Sequence, residues 1–114
     1  MHFPADQVAE LKAFAPGVAS CEERGVTYFL LPNLQLPAGC VPPTVDALLC
    51  PTPRDGYESR LFFSQEITTG ARAQNWHVKN ERIFDRSWFA FSWKTNQAGL
   101  RLAQMVTEHL CALK

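Results

Sequence analysis

Three side chains in the second half of this chain, His77, Ser87 and Ser92, are of types that carry acyl groups or move protons. A serine hydroxyl accepts an acyl group as an oxyester when a base removes its proton and donors stabilise the oxyanion. Ser92 stands between Phe91 and Trp93, surroundings that could desolvate a hydroxyl, with no base beside it in sequence. Asp85 lies two residues before Ser87 and could act as an acid or base beside it, although an acid in an Asp-Arg turn is more often an exposed capping group. The better nucleophile is missing, for no cysteine occurs between Cys50 and Cys111. The plain alternative is that Ser87 is a solvated hydroxyl, Ser92 a hydrogen-bonded strand serine, and His77 a residue that orders its loop. The general habits of these residue types favour that alternative.

The remaining chemistry-bearing residues are quieter. Cys21, Cys40, Cys50 and Cys111 are unevenly spaced, with no CxxC pair and no paired histidines, so neither a structural zinc site nor any other cofactor is expected. They read as free thiols, with Cys50 and Cys111 acting as small buried hydrophobes. His2 and His109 lie near the termini and are expected on exposed surface.

These residues need a scaffold, and composition bounds it. A chain of 114 residues with 46% hydrophobic content fits a single domain, 1–114, with a real core. Eleven basic and eleven acidic side chains cancel, and no stretch gathers Lys or Arg, so neither a nucleic-acid nor a membrane partner is expected. Apolar runs fall far short of the roughly 20 residues of a membrane helix. The start, Met1-His2-Phe3-Pro4, has no signal-peptide pattern, which makes the cytoplasm the default expectation.

The predicted order is helix, strands, helix. Asp6 can cap a short helix with Val8, Leu11 and Phe14 on one stripe, ended by Pro16-Gly17. Val18 to Glu22 and Val26 to Leu31 read as strands joined by a Glu23-Arg24-Gly25 turn. The continuous apolar run Val45 to Cys50 suits a central strand buried on both faces, and Leu61, Phe62 and Phe63 form another short apolar strand. From Gln65 to Glu81 neither period shows, so a long polar loop is expected. In the extended segment after it, Ser87, Phe89, Phe91 and Trp93 share one face, and Trp88, Ala90 and Ser92 the other. A final helix, capped by Thr95 or Asn96, carries Leu102, Ala103, Val106, Leu110 and Leu113. The fold class is α+β, one antiparallel sheet with helices packed on it.

Leu36-Pro37-Ala38-Gly39, Val45-Asp46-Ala47-Leu48-Leu49, Gly56-Tyr57, Leu61-Phe62-Phe63 and Trp88-Phe89-Ala90-Phe91-Ser92-Trp93 together resemble the bacterial ubiquitin-conjugating-like (UBC-like) proteins of prokaryotic family E. The resemblance covers roughly residues 36 to 113. It implies an N-terminal helix, a four-stranded antiparallel meander, a long segment carrying the active site, and closing helices. It also implies that Tyr57 matches the superfamily's Tyr-Pro element and Trp93 the tryptophan after the nucleophile. The departures are that Glu58 follows Tyr57, the His-Pro-Asn motif is missing, and no cysteine lies in the active-site segment. Standard thioester chemistry therefore lacks its thiolate.

In that superfamily a histidine precedes the nucleophile by ten residues, the interval from His77 to Ser87, which makes Ser87 the positional stand-in. The resemblance implies a nonstandard conjugating-like protein in a bacterial ubiquitin-like modifier pathway associated with antiphage defence. Its partners would be the modifier and its activating enzyme. It would carry or position the modifier's C-terminus for transfer to a target amine, with a serine oxyester as one route. Tyr57, Trp88, Phe91 and Trp93 would line a groove for the modifier's tail. The other reading is a catalytically inactive module that binds the modifier or the activating enzyme, and fold by itself does not choose.

Overall fold

Pro4 starts the first helix of the computed structural model, which describes residues 4–52, 59–69, 76–91 and 100–111, with side chains except those of 69, 76–81 and 91. Helix α1 spans Ala5–Glu10, and a 3-10 turn, Leu11–Ala13, tightens its end. The N-cap is Pro4, whose carbonyl accepts from the Gln7 and Val8 N–H groups at 3.1 and 3.2 Å. Asp6, expected as the cap, instead lies inside the first turn and accepts a 2.7 Å bond from Arg101. That guanidinium holds the Asp6 carboxyl below its ordinary range.

Strand β1 (Ala19–Glu23) pairs antiparallel with β2 (Val26–Gln35). Their turn has φ of 52° at Arg24 and 77° at Gly25, the mirror-image geometry whose twist suits a two-residue hairpin. β2 runs four residues past the expected Leu31 because a bulge carries it through Pro32 and Asn33. The Asn33 N–H donates to Asp46 Oδ1 at 3.0 Å. A short strand β3 (Cys40–Val41) precedes β4 (Thr44–Cys50), which lies between β2 and β5 (Arg60–Phe63). Every residue of β5 is buried.

The expected loop from Gln65 to Glu81 is broken by strands where it is described. It contains β6 (Thr68–Thr69), paired with β3, and most of β7 (Trp76–Ile83). β7 forms a hairpin with β8 (Arg86–Phe91) through a turn with φ of 52° at Phe84 and 59° at Asp85. Two register irregularities interrupt β7, and such bulges break the two-residue alternation by which a strand is read from sequence.

The main sheet has six strands in the order β1-β2-β4-β5-β8-β7. Four of them, β1, β2, β4 and β5, are antiparallel neighbours in chain order, and the hairpin extends the sheet beyond the expected four. The fold is α+β, and its sheet buries both faces. One face, with Phe29, Leu31, Ala47, Leu49, Leu61 and Phe63, packs on Leu11, Ala15, Leu102, Val106 and Leu110 of the helical layer. The other, with Tyr28, Leu48, Cys50 and Phe62, is covered by Ile83, Trp88 and Ala90 of the hairpin.

Helix α2 spans Leu102–Cys111. The Arg101 N–H donates to Gln104 Oε1 at 2.8 Å and the Leu102 N–H to Gln7 Oε1 at 3.2 Å, so side chains of both helices satisfy its first amides. Thr95, Asn96 and Leu113 lie outside the described residues. Arg101 also binds Glu10 at 3.0 Å, which completes the tie between the helices. No described helix is long and apolar enough to cross a membrane.

Arg24 is an exposed, branched-chain-free residue held in the left-handed region, a conformation costing most side chains about 1 kcal/mol. Arg24→Asn creates the Asn-Gly pair this turn favours and is expected to stabilise the fold by roughly 0.5–1 kcal/mol, read from the urea midpoint at unchanged slope.

Candidate functional site

From Ser87 to Ala90 strand β8 alternates: Trp88 and Ala90 point into the core, while Ser87 and Phe89 are half-buried on the other side. Trp88 is 1% exposed, and its indole Nε1–H donates to the Ile83 carbonyl at 3.0 Å. The Arg86 guanidinium lies over its ring at 4.8 Å and bonds Asp46 at 3.1 Å. Trp88, expected to line a groove for a modifier tail, is thus a core residue of the hairpin.

The register separates the expected nucleophile from its expected base. Ser87 pairs with Arg82, five residues along β7 from His77. At about 3.3 Å per residue that is roughly 16 Å of strand between the two backbone positions. The ten-residue spacing shared with the superfamily therefore sets the two backbones at opposite ends of the hairpin, because the intervening residues turn back on themselves. Asp85 is exposed at that turn. Tyr57, Ser92 and Trp93 lie outside the described residues, and for Phe91 only the backbone, at the end of β8, is described.

A serine and a histidine do meet elsewhere. Ser59 Oγ lies 3.0 Å from His109 Nε2, joining the residue before β5 to the C-terminal half of α2. Both are buried, Ser59 at 2% and His109 at 3% exposure. The expectation of an exposed His109 fails for a reason legible in retrospect: Leu102, Val106 and His109 follow at intervals of four and three, one helical face. Arg60, the next residue, is 1% exposed with its guanidinium 6.0 Å from the Phe62 ring centroid.

Burial lowers the His109 pKa from 6.5 to about 4; the Ser59 backbone opposes the shift, and the Arg60 charge adds to it. The imidazole is therefore neutral at neutral pH. A serine–imidazole contact is the geometry of an activated nucleophile, but here neither group reaches solvent, and its effect is to fasten α2 to the sheet.

The four thiols are free, Cys40 and Cys50 buried, Cys21 and Cys111 half-buried. Burial pushes the Cys40 thiol up, which makes it a poor nucleophile. Among the described residues no cluster of His, Cys, Asp and Glu could hold a metal ion. A shallow recess of about 230 Å³ opens between the end of the first helical segment and α2, lined by Phe14, Gln35, Leu36, Pro37, Thr107 and Leu110.

These features define a small α+β protein whose antiparallel sheet is covered by helices on one face and by a β-hairpin on the other. No family model, curated protein or solved structure matches the chain.

The buried imidazole gives stability a pH dependence of known sign. Between pH 6.5 and about 4 the unfolded chain binds a proton at His109 that the folded chain does not, so stability falls as pH falls through that window. The full loss from this group is about 3 kcal/mol. Urea unfolding at pH 7 and pH 4.5 is expected to show the drop, and His109→Gln to flatten it.

Proposed function

We propose that this protein is a nonstandard UBC-like module of a bacterial ubiquitin-like modifier pathway, which binds the modifier or its activating enzyme without a covalent intermediate of its own. The observation that supports the reading is the order of the larger elements: α1, then β1, β2, β4 and β5 as antiparallel neighbours with the short β3 between β2 and β4, then the β7–β8 hairpin, then α2 on the same face as α1. That order accompanies the sequence motifs at Leu36–Gly39, Val45–Leu49 and Trp88–Trp93 from which the resemblance comes.

Within the reading, the hairpin geometry favours binding over acyl transfer. Ser87 pairs with Arg82, five residues along β7 from His77. An unactivated serine is a weak nucleophile, and an alkoxide is a poorer leaving group than a thiolate. Holding a partner needs no such activation, and the half-buried Ser87 and Phe89 on the hairpin's outer side offer a polar and an aromatic contact for an extended tail.

Incubation with a bacterial ubiquitin-like modifier, its activating enzyme and ATP tests this directly. The expected result is a complex that survives gel filtration but leaves no adduct after denaturation, and that forms equally with Ser87→Ala. A hydroxylamine-labile, thiol-resistant adduct lost in Ser87→Ala or Ser92→Ala establishes the oxyester route instead. Absence of both complex and adduct removes the modifier-pathway reading altogether.

A further inference from the structure

Among the described residues the β7–β8 hairpin joins the main sheet through one ladder pair, Phe63 with Phe89, and its far end rests on β1 and β2. There the Phe84 N–H donates to both oxygens of the Glu23 carboxylate, at 3.3 and 3.2 Å. The Phe84 ring stands edge-on to Tyr28, with centroids 5.6 Å apart. From Phe89 back to Phe84 is about 16 Å of strand, and from β5 across β4 and β2 to β1 is three spacings of about 4.8 Å, or about 14 Å. β8 is therefore long enough to lie across the sheet like a strap. Midway, Arg86 reaches Asp46 of β4 at 3.1 Å.

The strap covers a core of its own. Tyr28, Leu48, Cys50 and Phe62 form with Ile83, Trp88 and Ala90 a cluster separate from the helix-side one. Its fastenings are modest. The Arg86–Asp46 pair is partly exposed, at 44% and 33%, and such pairs contribute little. The turn itself is strained, since Phe84 and Asp85 have φ of 52° and 59°, a region that a bulky aromatic occupies only when its surroundings hold it there. Glu23 and Tyr28 are what hold it.

We propose that this hairpin is a hinged cover. It swings about the Phe63–Phe89 junction when the Glu23–Phe84 clasp releases, baring the Tyr28–Leu48–Cys50–Phe62 face while the helix-side core stays closed. The inference rests on packing alone and stands whether or not the modifier reading holds. Sub-global openings follow supersecondary units, and this hairpin is one whose apolar contacts lie in a cluster of its own, so that its release leaves the helix-side cluster intact.

Two free cysteines supply the readout, because Cys50, with no exposure, lies in the cluster under the hairpin and Cys40, 6% exposed, lies in the helix-side cluster. The full-length protein is treated with a thiol-alkylating reagent in native buffer, and the labelling rate of each cysteine is followed by peptide mass spectrometry. Cys50 is expected to react faster than Cys40. Glu23→Ala is expected to accelerate Cys50 roughly tenfold, with Cys40 unchanged and amide exchange over residues 84–90 rising in step. Glu23→Gln, which keeps an acceptor oxygen, falls between. Equal rates at both cysteines, accelerated together, would mean that only global unfolding exposes them and would overturn the proposal. So would a Glu23→Ala protein whose Cys50 rate is unchanged, or one whose Cys50 rate rises while exchange over 84–90 does not.

Discussion

A sheet whose central strands are apolar on both sides must be covered twice. In β4, Val45, Ala47, Leu48, Leu49 and Cys50 are all buried, and in β5 nothing is exposed. Alternation would leave Leu48, Cys50 and Phe62 facing water if helices covered only one side. The helical layer takes Ala47, Leu49, Leu61 and Phe63, and the β7–β8 hairpin takes the rest. Much of the remaining structure serves that requirement: the strained Phe84–Asp85 turn, the buried Trp88 with its indole N–H satisfied by Ile83, and the Arg86–Asp46 tie.

The polar groups drawn inside are paired. His109 and Ser59 satisfy one another between α2 and the start of β5, and burial keeps the imidazole neutral, which avoids the large cost of an isolated buried charge. At the surface, α1 and α2 are matched by side chains instead of by apolar contact alone. Arg101 bridges Asp6 and Glu10, while Gln7 accepts from the first amide of α2. The charged pairs are exposed and contribute modestly, but the Gln7 bond fixes where α2 begins relative to α1. In this fold a histidine and a serine in contact act as a fastening, whereas the pair at superfamily spacing is held apart.

Much of the architecture was legible in the chain because it follows local rules. The Arg24-Gly25 turn, the unbroken apolar run into Cys50, and the stripe Leu102–Val106–Leu110 each encode their element over a few residues. The β7 strand was not legible, since its bulges spoil the alternation and its middle residues, Lys79, Asn80 and Glu81, are polar. The later part of the long loop inferred there, from Trp76 on, is a hairpin arm. Among the candidate site residues, Ser87 was correctly set on the opposite side from Trp88, yet the side given to Trp88 as a binding surface is core.

By itself, then, the sequence determined an α+β chain with a sheet apolar on both faces, free thiols and no thiol nucleophile between Cys50 and Cys111. Only the tertiary structure decided what covers the second face, that His109 meets Ser59 across fifty residues of chain, and that His77 and Ser87 lie far apart on paired strands. The reason is physical. Periodicity and turn chemistry act between neighbours along the chain, whereas the distance between two side chains depends on register and on which layer closes over which, and those are settled only when the whole sheet packs.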